Sequence, residues 1–267
     1  MKVANKVIVV TGAGGGIGGE LVAVLLARGA AVAAVDLRQE SLDQLKAKLS
    51  ADDAKLSLHA LDISNAEAVA ALPEQVSAVY GSIDGLINCA GIIQPFVKVN
   101  DLDFKAIEKV MNVNFYGTVY MLKAFLPQLL TRPEAHVVNF SSMGGFLPVP
   151  GQSVYGASKA AVKLLTEGLF AELLDTKVHV SLVFPGATAT DISKNSGVGI
   201  PGADSADASK FPMLPAHDAA VLVANGMDKN KPQIFTGKDS KMMNKLYRLN
   251  PVYATKLIAK QMKSLLK

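Results

Sequence analysis

Residues 7–36 hold the pattern that most limits what this chain can become. Val7-Ile8-Val9-Val10 is a short β-branched run, suited to a strand buried on both faces. It leads into Thr11-Gly12-Ala13-Gly14-Gly15-Gly16-Ile17-Gly18-Gly19, followed by helical spacing of Leu21, Val22, Leu25 and Leu26 that closes at Gly29. Residues 31–35 read as a second strand, ending in Asp36. Strand, glycine turn and helix in that order turn helix N-terminal amides toward an anion, and glycines let backbone approach a pyrophosphate closely. Two frames fit: GxGxxG at Gly14, Gly16 and Gly19, and TGxxxGxG at Thr11, Gly12, Gly16 and Gly18. An acid ending the second strand is placed to bond adenosine ribose hydroxyls. The bland alternative is a glycine-rich surface turn, and Asp36 argues against it.

Beyond residue 36, strands alternate with helices, the pattern of an α/β doubly wound, mostly parallel sheet in three layers. A helix is expected over 38–49 and a third strand over 55–61, ending at Asp62-Ile63. Ser64-Asn65-Ala66-Glu67 reads as a capping box opening a helix that Pro73 should kink or split. Strands follow at 84–88, 135–140, 178–184 and 233–235, with one helical stretch over 101–130 that holds Asn114 in its middle. Residues 191–214 mix Ser, Gly, Ala and Asp with Val198, Ile200, Phe211, Met213 and Leu214, the composition of a mobile loop. No repeat, linker or low-complexity segment divides the chain, so a single domain is expected.

The second constellation is Ser153-Val154-Tyr155-Gly156-Ala157-Ser158-Lys159, with Ser142 thirteen residues before the tyrosine. Tyr155 and Lys159 at i and i+4 project from one helix face. An ammonium there favours the phenolate and would bring a phenol that starts near pKa 10 into range for acid–base work. Alone, such a pair arises by chance in any helix-rich protein.

Together these motifs resemble the short-chain dehydrogenase/reductase family in its single-domain branch. TGxxxGxG spans Thr11 to Gly18, and Asn88-Cys89-Ala90-Gly91 is similar to the family's NNAG with Cys for the second Asn. Asn112-Val113-Asn114, the Ser142, Tyr155 and Lys159 set, and Pro185-Gly186 with Thr190 keep the family's order from residue 6 to about 237. The resemblance implies a Rossmann-type fold and a nicotinamide-dependent oxidoreductase. Tyr155 would then be the general acid/base, Ser142 would bond the reacting oxygen, Lys159 would hold the nicotinamide ribose, and Asn114 would support a water relay. It also implies a cofactor shell of Thr11, Gly12, Gly14, Gly15, Gly16, Ile17, Gly18, Asp36, Asp62, Ile63, Asn88, Ala90, Gly91, Pro185, Gly186, Thr188 and Thr190, joined by Tyr155 and Lys159. A substrate lid over 191–214, and a homodimer or homotetramer paired through the helices of Asn114 and Tyr155, complete it. Ala157, Ala160, Ala161, Val162 and Leu165 offer the small apolar positions for that pairing. A non-catalytic dinucleotide-sensing or scaffolding protein of the same fold is the competing reading, and such a protein would be free to lose Ser142, Tyr155 or Lys159.

Asp36 would repel a 2′-phosphate, so NAD is expected over NADP, with Arg38 the dissenting residue. Ile92, Ile93, Phe96, Phe146, Leu147, Pro148 and Val149 border the expected site, and suggest a small lipophilic alcohol, ketone or aldehyde as substrate. The four histidines are scattered, so no metal is expected. A single cysteine, Cys89, fits a reducing compartment, and residues 1–6 offer no apolar region for a signal peptide, so the expectation is cytoplasmic.

The 27 basic and 23 acidic residues are unevenly spread: eight and one lie in 238–267, leaving 19 and 22 in the body. The pI of about 9.0 therefore describes a tail and gives no support to nucleic-acid binding. The expected division is a catalytic unit over 1–237 and a basic amphipathic extension over 238–267. Lys256, Lys260, Lys263 and Lys267 form one helical stripe, with Leu257, Ile258, Met262, Leu265 and Leu266 largely on other faces. Two readings of the tail stay open, a packing element and a helix in peripheral contact with an anionic membrane.

Overall fold

The computed structural model describes residues 1–199 and 213–263. Ile200 and Phe211 of the expected lid, and Leu265, Leu266 and Lys267 of the tail, lie outside the described residues. In chain order come β1 (Val7–Thr11), α1 (Gly16–Ala27), β2 (Ala31–Asp36), α2 (Gln39–Leu49), β3 (Leu56–Ala60), α3 (Ala66–Tyr80) and β4 (Gly85–Asn88). Then follow α4 (Phe104–Met111), α5 (Gly117–Leu129), β5 (Ala135–Phe140), α6 (Ser153–Glu172), β6 (Val178–Pro185), β7 (Thr188–Ala189) and α7 (Ile192–Ser196). The last are β8 (Leu214–Pro215), α8 (Ala216–Asp228), β9 (Gln233–Thr236), α9 (Lys238–Leu249) and α10 (Pro251–Gln261).

Seven strands form one sheet in the order β3-β2-β1-β4-β5-β6-β9, with every pair parallel. Alternation along β1 feeds both faces. Ile8 and Val10 pack with Leu21, Leu25, Leu42 and Val223, whereas Val7 and Val9 pack with Val69, Leu72, Met121 and Phe125. Helices α1, α2 and α8 thus cover one face, and α3, α5 and α6 the other. The fold is the expected Rossmann-type doubly wound sheet. Its strand order reverses between β1 and β4, and the carboxyl ends there open the crevice where such sheets bind ligands.

Three local expectations need correction. Asn65, not Ser64, caps α3, accepting from the amides of Glu67 and Ala68 at 3.1 Å each. Ser64 turns back to the Asp62 carboxylate instead. Pro73 does not split α3, which runs unbroken from Ala66 to Tyr80 with Val69, Leu72, Pro73 and Val76 buried along one side. The stretch 101–130 is not one regular helix: Asn112–Tyr116 forms a π turn between α4 and α5, with Asn114 buried in it. Such a turn holds one residue more than an α turn and recurs at functional sites.

The last helices pack on their own domain. Met243, Ala254 and Ile258 close over Leu147. Asp239 accepts from the Ala187 amide at 2.8 Å, and Ser240 donates to the Phe184 carbonyl at 2.9 Å. Lys256, Lys260 and Lys263 stay exposed on the other side of α10. Among the described residues, no helix is long and apolar enough to cross a membrane.

Candidate active site

The turn from β1 to α1 is built by close approach. Gly12 has φ 69°, and a Cβ there would sit 2.8 Å from the Ala90 Cα. A Cβ on Gly18 would collide with the Gly12 carbonyl, so the first turn of α1 packs directly on the strand end. Thr11 Oγ1 accepts from the amides of Cys89 and Ala90, both at 3.1 Å, which ties β1 to the loop after β4. The Asp36 carboxylate accepts from the Gly14 amide at 2.9 Å and the Arg38 amide at 3.2 Å. The Arg38 guanidinium reaches across to Asn195 Oδ1 on α7 at 3.0 Å.

On the other side of the switch point, β5 delivers Ser141 and Ser142 into a short turn, Met143–Gly145, that lies against α6. A Cβ on Gly156 would sit 2.9 Å from the Gly144 carbonyl, so these glycines let turn and helix touch. Ser142 Oγ accepts from the Gly144 amide at 3.0 Å, which leaves its own O–H free to donate. Burial raises the Tyr155 phenol above its ordinary value, and a hydrogen bond with Ser142 pulls the other way. The expected depression by Lys159 is therefore not the direction found. Burial brings Lys159 itself down to about 8, with Cys89 opposing, and its Nζ donates to the Phe140 carbonyl at 3.0 Å. Burial pushes the Cys89 thiol, which stands on the cleft wall, up to about 12, with Lys159 opposing.

Most of the expected shell meets in one cleft of about 450 Å³. Gly12, Gly15, Gly16, Ile17, Gly18, Asp36, Asp62, Ile63, Ala90, Gly91, Ser142, Tyr155, Lys159, Pro185, Gly186, Thr188 and Thr190 line it. Thr11, Gly14, Asn88 and Asn114 stand behind the wall. Asn88 donates to Asn139 Oδ1 at 2.8 Å, and its own Oδ1 is buried without a hydrogen bond. Asn114 holds the Ile92 backbone and the Ser158 hydroxyl. Gly91 lies between Asn114 and Lys159: a Cβ there would sit 3.0 Å from Lys159 Nζ and 3.3 Å from Asn114 Oδ1.

Sequence reasoning missed Lys109 and Phe140 on the cleft wall, where Val113 of the Asn112-Val113-Asn114 segment and Ile192 and Asn195 of the expected lid also stand. It also misplaced part of the apolar border. Ile92 and Ile93 line the cleft, but Phe146 and Leu147 turn away, Phe146 against Phe184 and Tyr247, Leu147 under Met243 and Ile258. Residues of a loop carry no periodicity that says which neighbour will cover them, so only the tail's position could have told.

The short chain dehydrogenase model matches residues 6–199, which include the glycine turn, Asp36, Ser142, Tyr155 and Lys159. The chain belongs to the short chain dehydrogenase family. It is an oxidoreductase of that family. The chain is 34% identical over 265 residues to an oxidoreductase named SadH from Mycobacterium tuberculosis, covering 96% of this chain and 94% of the relative. Its fold is similar to a short chain dehydrogenase/reductase from Burkholderia phymatum in complex with NAD (TM-score 0.85, 26% identity, 94% and 95% of the two chains). It is also similar to a short chain dehydrogenase from Burkholderia cenocepacia in complex with NADP (TM-score 0.79, 27% identity, 98% and 99%).

Proposed function

We propose that this dehydrogenase interconverts a lipophilic alcohol and its ketone or aldehyde, with NAD preferred over NADP. The observation that carries the reading is one cleft running from the glycine turn and Asp36 to Ser142, Tyr155 and Lys159. The turn fits a dinucleotide, because side chains at Gly12 or Gly18 would fill the space that brings backbone amides to the cleft. The amides around Gly15, Gly16 and Ile17 would hold the pyrophosphate, Asp36 the adenosine ribose, Asp62 and Ile63 the adenine, Lys159 the nicotinamide ribose, and Thr188 and Thr190 the carboxamide. Ala90, Gly91, Pro185 and Gly186 would line the path between them. A bound nicotinamide supplies the hydride donor or acceptor.

The protein's own part is the proton. Tyr155 exchanges it at the substrate oxygen, and Ser142 donates to the same oxygen as charge develops there. In reduction the protonated phenol, which burial favours here, is the donor. In oxidation Tyr155 must ionise, and the Ser142 hydroxyl, whose hydrogen bond lowers the phenol's pKa, is the group that favours the phenolate. The NAD preference rests on Asp36 being held by two backbone amides while Arg38, the one local candidate for a 2′-phosphate, is engaged by Asn195. Ile92, Ile93 and Ile192 support an apolar substrate. A subunit contact is proposed on α6, where Phe115, Ala160, Ala161, Leu164 and Leu165 line a shallow apolar hollow.

The test compares wild type with Tyr155→Phe across a panel of lipophilic alcohols and ketones, following reduced nicotinamide by absorbance. Turnover is expected to fall at least about 100-fold while nucleotide affinity stays within about threefold. Near-normal turnover in Tyr155→Phe defeats the assignment, and tighter binding of NADP than NAD defeats the cofactor preference.

A further inference from the structure

Helix α6 carries Tyr155 in its first turn, yet it has no cap of its own: Gln152, at the N-cap position, makes no side-chain hydrogen bond to the helix amides. A helix leaves its first amides without intrahelical acceptors, and buried ones need a partner. Here the partner comes from sixty residues upstream. Gln94 is fully buried, and its Oε1 accepts from the amides of Val154 at 2.8 Å and Tyr155 at 3.0 Å. Its Nε2 donates to the Gly151 carbonyl at 2.9 Å. The orientation of this amide is forced, since a flip would set NH₂ against two N–H groups and a carbonyl against a carbonyl. Gln152 answers from the other side, donating from Nε2 to the Gln94 backbone carbonyl at 2.7 Å.

We propose that Gln94 is a positioning residue for Tyr155, acting through the tyrosine's own backbone amide. It does not line the cleft, so its route to the chemistry is the backbone of Tyr155. What it joins is the loop after β4, whose Ile92 and Ile93 wall the cleft, to the turn of α6 that aims the phenol. The loop and the turn carrying Tyr155 are therefore tied by hydrogen bonds in both directions. The Gln94 carbonyl also places the negative end of a dipole at the first turn of α6, which holds the phenol proton more firmly than bare amides would. The inference rests on Tyr155 being the proton-transfer residue.

The test uses the full chain with Gln94→Met, which keeps length and volume but has no strong acceptor, and Gln94→Glu, which keeps an acceptor oxygen facing Val154 and Tyr155. Gln94→Met is expected to lower kcat about tenfold or more with NADH affinity within about threefold, because a small misplacement of a reacting group is costly. Gln94→Glu is expected to recover most of that loss. Phenolate absorbance, taken as the difference between each protein and its Tyr155→Phe counterpart, is expected to show Tyr155 ionising at lower pH in Gln94→Met. That titration needs no substrate, so it reads the proposal even if wild type turns over nothing in the panel, a result that would count against the proposed reaction alone. If Gln94→Met does not fold, Gln94→Asn, one methylene short of both amides, takes its place. A Gln94→Met or Gln94→Asn enzyme with wild-type kcat and an unshifted Tyr155 titration overturns the proposal. So does a Gln94→Glu enzyme as impaired as Gln94→Met, since the acceptor would then not be what matters.

Discussion

Asn114 and the Ile92 backbone hold each other twice: Nδ2 donates to the Ile92 carbonyl and Oδ1 accepts from the Ile92 amide, both at 2.9 Å. A third bond from Nδ2 to Ser158 Oγ at 3.0 Å reaches α6. The π turn is what presents this side chain to both partners. Asn114→Ala would leave the half-buried Ile92 amide and carbonyl without this partner, each at a cost of up to about 1–3 kcal/mol, while Ser158 Oγ keeps its bond to the Tyr155 carbonyl at 2.7 Å. The expected outcome is a loss of about 2–4 kcal/mol in urea unfolding. A loss below 1 kcal/mol would mean that water replaces the amide without strain.

Lys159 and Tyr155 give the protein a defined alkaline profile. The folded pKa of Lys159 is lowered from 10.5 to about 8, so between these values the unfolded chain binds the extra proton and stability rises with pH. Tyr155 acts oppositely: its folded pKa is raised above 10.0, so above that pH the unfolded chain has lost a proton that the fold retains, and stability falls. Cys89, raised from 9.0 to about 12, keeps its proton in the fold and offsets the Lys159 gain above pH 9, so thermal midpoints of the nucleotide-free protein should climb from pH 8 to about 9, level off, and drop above 10. Lys159→Met should flatten the climb, whereas a climb unchanged in that variant would assign it to other groups.

Arg38 and Asn195 join across the cleft, from the Asp36 end to α7. The pair is exposed, so each single variant to Ala should cost little, and the double variant should reveal a coupling of about 0.5–1 kcal/mol in NAD binding. Stopped-flow release of NADH from the four proteins of the cycle measures it. Strict additivity would show that the bond does not close over bound nucleotide.

Asp84 is buried at the amino end of the sheet, where it accepts from Arg132 Nε and Nη2 at 2.9 and 2.8 Å and from the Val7 amide at 3.0 Å. Removing Arg132 leaves the buried carboxylate only the Lys6 ammonium, 3.8 Å away, as a compensating charge. Arg132→Ala should therefore destabilise by about 1–3 kcal/mol, and Asp84→Asn in that background should recover part of it. Guanidinium unfolding of the three proteins decides the point, since an additive pair of losses would contradict the charge argument.

What was legible in the sequence followed from chain-local rules. Val7–Val10, the glycine turn and Asp36 announce strand, turn, helix and strand because each depends on neighbours a few residues away. Ser142, Tyr155 and Lys159 were legible from motif spacing. The rest depended on partners far along the chain. Asn114 reads as a mediocre helix residue until the π turn places it behind Gly91. Gln94 looks like an ordinary loop residue until α6 arrives with two free amides, and nothing in its surroundings signals a cap. Asp84 and Arg132 are 48 residues apart and belong to no pattern of either period. Phe146 and Leu147 were assigned to the cleft because they precede Tyr155, but the tail helices offered them a drier place.

That choice by Leu147 has a mechanical consequence. The turn bearing Ser142 is loaded from both sides, by the cleft in front and by Met243, Ala254 and Ile258 at its back. The match to the family model ends at residue 199, so this rear support lies outside the matched segment. A chain that exchanged its final two helices would keep every atom of the proton-transfer set and still seat the turn at a different depth. The support behind the turn is thus carried by residues that the cleft does not contain.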